Sequence, residues 1–132
     1  MLSRKYHIPI RLPSLSNCRM TWRALARVKR DQRTATVFAL IESPTIPRRH
    51  VYALKPPFVV TITRIGPRKL DGDNLQGACK YVRDAIADVI GLDDGSPLYT
   101  WLYEQRRGDY GVDVEVAEAR SATMSSNSGG RL

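Results

Sequence analysis

Residues 58–91 run from a strand through a breaker into an amphipathic helix, and no other stretch constrains the fold as tightly. Phe58 to Ile65 carries Val59, Val60, Ile62 and Ile65 with β-branched Thr61 and Thr63 between them, and Gly66 and Pro67 close it. From Asn74 to Ile90 the residues Leu75, Ala78, Cys79, Val82, Ala85, Ile86 and Val89 recur at helical spacing and define one buried face. Gly91 follows as a natural C-cap.

The flanking segments extend this pattern. Tyr6 to Leu12 alternates loosely into a turn at Pro13 to Asn17, which predicts a first strand. Met20 to Glu42 lacks Gly and Pro and suits one long helix, although its second half, TATVFALIE, also fits a strand. Ser43 to Pro57 contains four prolines and reads as a connection. Leu98 to Gln105 alternates Leu98, Thr100 and Leu102 with Tyr99, Trp101 and Tyr103, as expected of a strand covered on both faces. Val112, Val114 and Val116 give a last, half-exposed strand, with RRGDYG as a hairpin loop before it. The expected order is β-α-β-α-β-β. With 132 residues and 42% apolar content, residues 1–120 suit a single domain and 121–132 a disordered polar tail.

Charge is unevenly divided. Met1 to Lys69 holds 15 Lys and Arg against Asp31 and Glu42, a net of +13, whereas residues 71–132 hold 6 basic and 11 acidic residues, a net of −5. A cationic half of this size favours a polyanion, nucleic acid first, because phosphate neutralisation releases counterions. The competing reading is a cationic surface with no specific partner. Arg19, Arg23, Arg27 and Arg30 fall on one helical stripe, either a track for phosphates or a solvated face.

Other classes are poorly served. Cys18 and Cys79 are far apart, without a CxxC, so a reduced intracellular chain is the simpler reading and a zinc site is not expected. His7 and His50 are isolated and read as surface or packing residues. No apolar run approaches the length of a membrane span, and a soluble cytoplasmic protein is expected. An EF-hand loop starting at Asp71 would need an oxygen ligand at Leu75, glycine at Gln76 and an acid at Val82. No P-loop precedes Lys69 or Lys80.

The segment DGDNLQGACKYVRDAIADVIGLDD, Asp71 to Asp94, carries the chemistry. Asp73 and Gln76 fit a capping box at a helix start, which does not account for Asp71. Two carboxylates this close repel unless a cation lies between them, and an extended Leu70 to Asp73 would point both to one side, toward one hard cation. On a helical wheel Asp73, Gly77, Lys80 and Asp84 oppose Leu75, Val82 and Ile86. Bare Gly77 leaves room for a phosphate, and Lys80 either reaches it or pairs with Asp84.

These residues resemble the RusA-type Holliday-junction resolvases, metal-dependent endonucleases often encoded by bacteriophages and prophages. The likeness lies in DxDNL, a lysine four residues before DAI, and LDD. Gly77, Ala78 and Cys79 set that lysine further from DNL than in the family's best-known spacing. Outside Asp71 to Asp94 the likeness is weaker over Pro13 to Asn17 and Tyr99 to Gln105, and thin elsewhere.

The resemblance implies an α/β (α+β) fold with a mixed β-sheet flanked by two helices, and a homodimer acting on branched DNA in recombination and repair. It makes Asp71, Asp73 and Asp94 the catalytic, Mg²⁺- or Mn²⁺-binding carboxylates and Lys80 the catalytic lysine. Arg64, Arg68 and Lys69, with Arg23 and Arg27, become candidate DNA contacts. A non-catalytic DNA-binding or dimerisation protein of the same fold is the alternative. Trp22 and Tyr110 are expected to pack in the core and fill a loop, with a wedge into open DNA as the second possibility.

Helix geometry adds a constraint. An uninterrupted helix over 74–90 is roughly 25 Å long, and Gly91 to Asp94 returns at most about 10 Å, so Asp94 cannot join Asp71 and Asp73 of its own chain. Two antiparallel copies of the helix across a dimer axis would bring them together, and a break near Gly77 is the other way.

Overall fold

The β-branched and alternating runs form four strands: β1 (Ser3–Ile8), β2 (Phe58–Gly66), β3 (Tyr99–Arg107) and β4 (Gly111–Glu118). The amphipathic runs form α1 (Trp22–Ile41), α2 (Gly72–Ala78) and α3 (Lys80–Ile90). This computed structural model describes residues 3–15, 20–41 and 54–119. Arg19, Cys18, His50, most of the proline-rich connection, the end of the Pro13 to Asn17 turn and the 121–132 tail lie outside the described residues.

The fold is α+β, with a mixed four-stranded sheet in the order β1-β4-β2-β3. β2 pairs antiparallel with β4 and parallel with β3, so Ile62 faces Val114 on one side and Tyr103 on the other. Phe58, Val60 and Ile62 of β2, Val112, Val114 and Val116 of β4, and Tyr6 and Ile8 of β1 share the buried face. They meet Leu40 of α1, Leu75 and Ala78 of α2 and Val82, Ile86 and Val89 of α3 in one core. Truncating a fully buried member such as Ile62 or Ile86 to alanine is expected to cost about 2–5 kcal/mol.

Several expectations are corrected. β1 ends at Ile8 and not at Leu12, because Pro9 offers no ladder donor and the Ile10 N–H turns back to the Ile8 carbonyl at 2.9 Å. Leu12 is nevertheless fully buried. The TATVFALIE run is helical: Gln32, Thr36 and Leu40 form its buried stripe, and Thr36 Oγ1 donates to the Gln32 carbonyl at 2.7 Å. β3 is covered on one face only, since Thr100, Leu102 and Glu104 are exposed.

RRGDYG does not close a hairpin of paired strands. β3 and β4 run antiparallel but flank β2, and residues 108–110 pass over the end of β2, where the Gly108 N–H donates to the Gly66 carbonyl at 3.1 Å. A Cβ on Gly108 would stand 3.1 Å from Ile65 Cγ2, so this crossing is tight.

The expected single helix over 74–90 is two helices, which makes three among the described residues. Cys79 interrupts it at φ −89°, ψ −1°, and its N–H is shared between the Leu75 and Gln76 carbonyls at 3.1 and 3.2 Å. The weak helix former Gly77 precedes the break, while Ala78 and Cys79 are both fully buried. Gly91 is the left-handed C-cap of α3, at φ 87°. No helix among the described residues is long and apolar enough to cross a membrane.

Candidate metal and nucleic-acid site

Asp71, not Asp73, is the N-cap of α2. Its backbone is extended (φ −64°, ψ 158°) and its carbonyl accepts the first helical bond, from Leu75 N–H at 2.8 Å, while its side chain makes no cap hydrogen bond. Gly72 and Asp73 are already helical, so the capping box at Asp73 and Gln76 and the extended Leu70 to Asp73 run are both replaced. Both carboxylates are exposed, and neither has a hydrogen bond or ion pair among the described residues. Asp73 sits in the first turn, where its charge opposes the helix dipole favourably.

The chain before Asp71 is held from β3. Gln105 accepts from the Leu70 N–H through Oε1 and donates to the Leu70 carbonyl through Nε2, each at 2.7 Å. This two-point grip fixes the backbone one residue ahead of the first carboxylate. Arg68 and Lys69, just upstream, are exposed.

Arg64 leaves that set. It is only 6% exposed, and its guanidinium donates to the Leu12 carbonyl through Nε and to the Arg68 carbonyl through an Nη, each at 2.7 Å. It therefore ties the chain after β1 to the loop after β2, and it is not available to DNA. Burial pushes the neighbouring Cys79 thiol up to about 12, despite the opposing influence of Arg64, so Cys79 is an inert packing residue.

Lys80 opens α3 and is exposed, without an ion pair to Asp84 among the described residues. Gly77, one turn earlier, is also exposed, and a Cβ there would meet nothing within 4 Å. Asp73, Gly77 and Lys80 thus share the outward side of the α2–α3 unit, with Asp84 half-buried beyond them.

Asp94 belongs to a separate constellation. Its carboxylate lies 3.3 Å from Arg83 Nε, and its carbonyl accepts from Arg83 Nη2 at 3.2 Å and Trp101 Nε1 at 3.0 Å. The same guanidinium donates to the Tyr103 hydroxyl at 2.9 Å and stacks 4.8 Å from the Trp101 ring centroid. Tyr99 donates to the Leu92 carbonyl at 2.8 Å. Burial, reinforced by Asp94, Asp93 and Asp88, pushes its hydroxyl up to about 12. Asp94 also lines a cavity of about 580 Å³ between α1 and α3, with Asp84, Asp88 and Asp93 facing Lys29 and Arg33. Arg33 pairs with Asp88 across it.

Among the described residues no three His, Cys, Asp or Glu side chains are grouped to hold a metal ion. Asp71 and Asp73 supply hard oxygen donors of the type Mg²⁺ or Mn²⁺ prefers, but in number they are too few, and Asp94 does not complete them within one chain.

Arg23, Arg27 and Arg30 are exposed along α1, as the stripe predicts. Trp22 corrects its expected packing role: it is 74% exposed and carries Arg23 5.4 Å from its ring centroid. Tyr110 is exposed too, under Arg11 at 4.8 Å. On the open sheet face His7 Nδ1 lies 2.6 Å from Asp113, which also accepts from Arg106 at 2.9 Å. Burial raises the Asp113 carboxyl, but hydrogen bonds from His7 and Arg106 outweigh it and hold the group below its ordinary range.

The sequence reading missed Gln105, Arg83 and Trp101 as positioning residues. No protein-family model matches this chain, and no curated protein aligns with it.

Proposed function

We propose that the protein is a Mg²⁺- or Mn²⁺-dependent endodeoxyribonuclease that acts on Holliday junctions or related branched DNA in recombination and repair, as a homodimer whose sites are shared between subunits. The observation that carries this reading is the pair of unpartnered, exposed carboxylates at Asp71 and Asp73, on a backbone gripped by Gln105 and directly after exposed Arg68 and Lys69. A carboxylate already paired with a basic side chain has its charge neutralised. These two remain available, within the one motif that resembles a junction nuclease.

In this reading Asp71 and Asp73 hold the cation together with Asp94 of a second subunit. The ion, when bound, supplies charge neutralisation at the scissile phosphate and an acidified water. Lys80 stabilises charge developing on the phosphate oxygens. Arg68, Lys69, Arg23 and Arg27 seat the backbone, and the net positive charge speeds encounter with DNA. Arg83 and Trp101 hold the Asp94 loop in place through its carbonyl, so the loop presents a fixed carboxylate.

One observation favours a second reading. The ion pair with Arg83 already neutralises Asp94, as expected of a DNA-binding module that does not cut. Incubating the purified protein with a synthetic four-way junction, with and without Mg²⁺, separates the two. The nuclease reading expects metal-dependent strand cleavage that Asp73→Asn abolishes. Binding without cleavage in Mg²⁺ and in Mn²⁺ assigns the protein to the second reading.

A further inference from the structure

We propose that the cavity between the end of β1 and α1 receives an unpaired nucleobase, read by the side-chain amide of Gln32. Gln32 is 3% exposed, and neither its Oε1 nor its Nε2 has a hydrogen-bond partner among the described residues. Thr36, one turn along the same stripe, is satisfied by the Gln32 carbonyl, so the unmet groups belong to the side chain alone. A buried amide left unpaired on both atoms is costly to fold, which makes it an anomaly that a ligand would resolve.

Gln32 lines a cavity of about 480 Å³ whose walls include Ile10, Pro13, Met20 and Val28. Apolar walls suit the faces of a flat ring, and the amide suits its edge. A primary amide presents a donor and an acceptor side by side in one plane, as the hydrogen-bonding edges of the bases do, and this is the geometry by which Gln reads adenine. Bases within a duplex cannot enter such a pocket, whereas unstacked bases do.

The surroundings fit a nucleotide better than a neutral amide. Arg11 lines the same cavity and is stacked on Tyr110, available for the attached phosphate. Arg27 and Arg23 stand exposed on α1, five and nine residues before Gln32, and continue the cationic track away from it. Asp31, the opposing charge at the cavity, lies 4.0 Å from Arg30. The inference rests on the nuclease reading only for the source of the base, an unpaired position in branched DNA.

The test is an NMR titration of the full chain with each of the four deoxynucleoside monophosphates and, as control, with inorganic phosphate. The Gln32 side-chain amide and Arg11 signals are expected to shift saturably with at least one nucleotide, while phosphate alone leaves the Gln32 signals in place. Gln32→Leu is close in size and gives up no partner among the described residues, so its melting temperature should stay level or rise. Its affinity should fall about tenfold, as for one bidentate amide–base contact. If Gln32→Leu does not fold, Gln32→Met serves the same comparison. Unmoved Gln32 signals with all four nucleotides, or equal affinity in the variant, overturn the inference. Neither measurement involves metal or cleavage. A protein that takes nucleotides but cuts no junction keeps this site and loses the nuclease reading, and the reverse result does the opposite.

Discussion

Gln105 on β3 and Leu70, the residue before the acidic pair, are joined by two hydrogen bonds of 2.7 Å, one to each backbone polar group of Leu70. A side-chain amide here substitutes for a neighbouring strand. It satisfies backbone that has left β2 and not yet entered α2, and it carries the rigidity of the sheet to the N-cap of α2.

Replacing Gln105 by alanine should therefore act twice. Two partly buried backbone groups lose their partner, for a destabilisation of about 1–3 kcal/mol measured by urea unfolding. If the nuclease reading is right, cleavage at saturating Mg²⁺ also falls by more than the folded fraction does, because Asp71 is no longer fixed. Activity that tracks the folded fraction would reduce Gln105 to a purely structural residue.

Asp71→Asn and Asp73→Asn give the opposite pattern. Both side chains are exposed and unpartnered, so each substitution should shift stability by less than about 1 kcal/mol, with Asp73→Asn the costlier through the helix dipole. Isothermal titration with Mn²⁺ should lose its heat in either variant. Heat retained in both would place the metal elsewhere.

Arg64, Arg68 and Lys69 are close in sequence but should separate experimentally. Arg64→Met removes two charge-assisted bonds to the Leu12 and Arg68 carbonyls and is expected to cost about 1.5–3 kcal/mol, with no change in the salt dependence of DNA binding. Arg68→Ala and Lys69→Ala should leave the unfolding midpoint alone and each lower the slope of log K against log salt by about 1. Fluorescence anisotropy over a salt series, beside guanidinium melts, reads both quantities.

The elements were legible where periodicity alone decides them. β2, β3, β4 and α3 follow apolar spacing, and Gly91 ended α3 as its composition requires, whereas the second half of α1 fitted a strand as well and its buried stripe, Gln32, Thr36 and Leu40, is mostly polar. Partnership was not legible, because strand periodicity does not say which strand lies between two others, so β3 and β4 read as a hairpin although β2 separates them. A signal for Arg64 was present: Phe58, Val60, Ile62 and Arg64 share the period-two face that turned out to be the core. Tyr99, Trp101, Tyr103 and Gln105 likewise share one face of β3. A polar residue ending an apolar alternation marks a buried polar contact, and reading both positions in that way would have found both clamps. The Cys79 break had a weaker signal in Gly77, a poor helix former two residues before it.

Asp113 sets an acid limit on stability. Its folded carboxyl is held below the ordinary range, so its contribution is complete above the unfolded value, near 4, and is lost as pH falls through the lower folded value. The side chain is 36% exposed, and solvent screening keeps the effect below about 1 kcal/mol. Melting temperature followed from pH 5 to pH 2 should fall less steeply in Asp113→Asn than in the wild type. Parallel curves would show that the His7 and Arg106 contacts add nothing in solution.

A shared site makes a prediction that a site within one chain does not. Asp94 is tied to Arg83, Trp101 and the α1–α3 cavity, and within one chain it does not complete a group of three carboxylates with Asp71 and Asp73. If Asp94 of one subunit completes the pair of the other, Asp73→Asn and Asp94→Asn homodimers are each dead at both sites. Subunit exchange between them gives a heterodimer in which one site carries both substitutions and the other carries neither. Random mixing in equal amounts then restores about a quarter of the wild-type sites, half of the dimers with one good site each. Nicking of a labelled junction should therefore reappear on mixing two inactive proteins. If each chain builds its own site, no combination contains an intact one and the mixture stays inactive, so nicking after exchange verified by native mass spectrometry decides between the two arrangements.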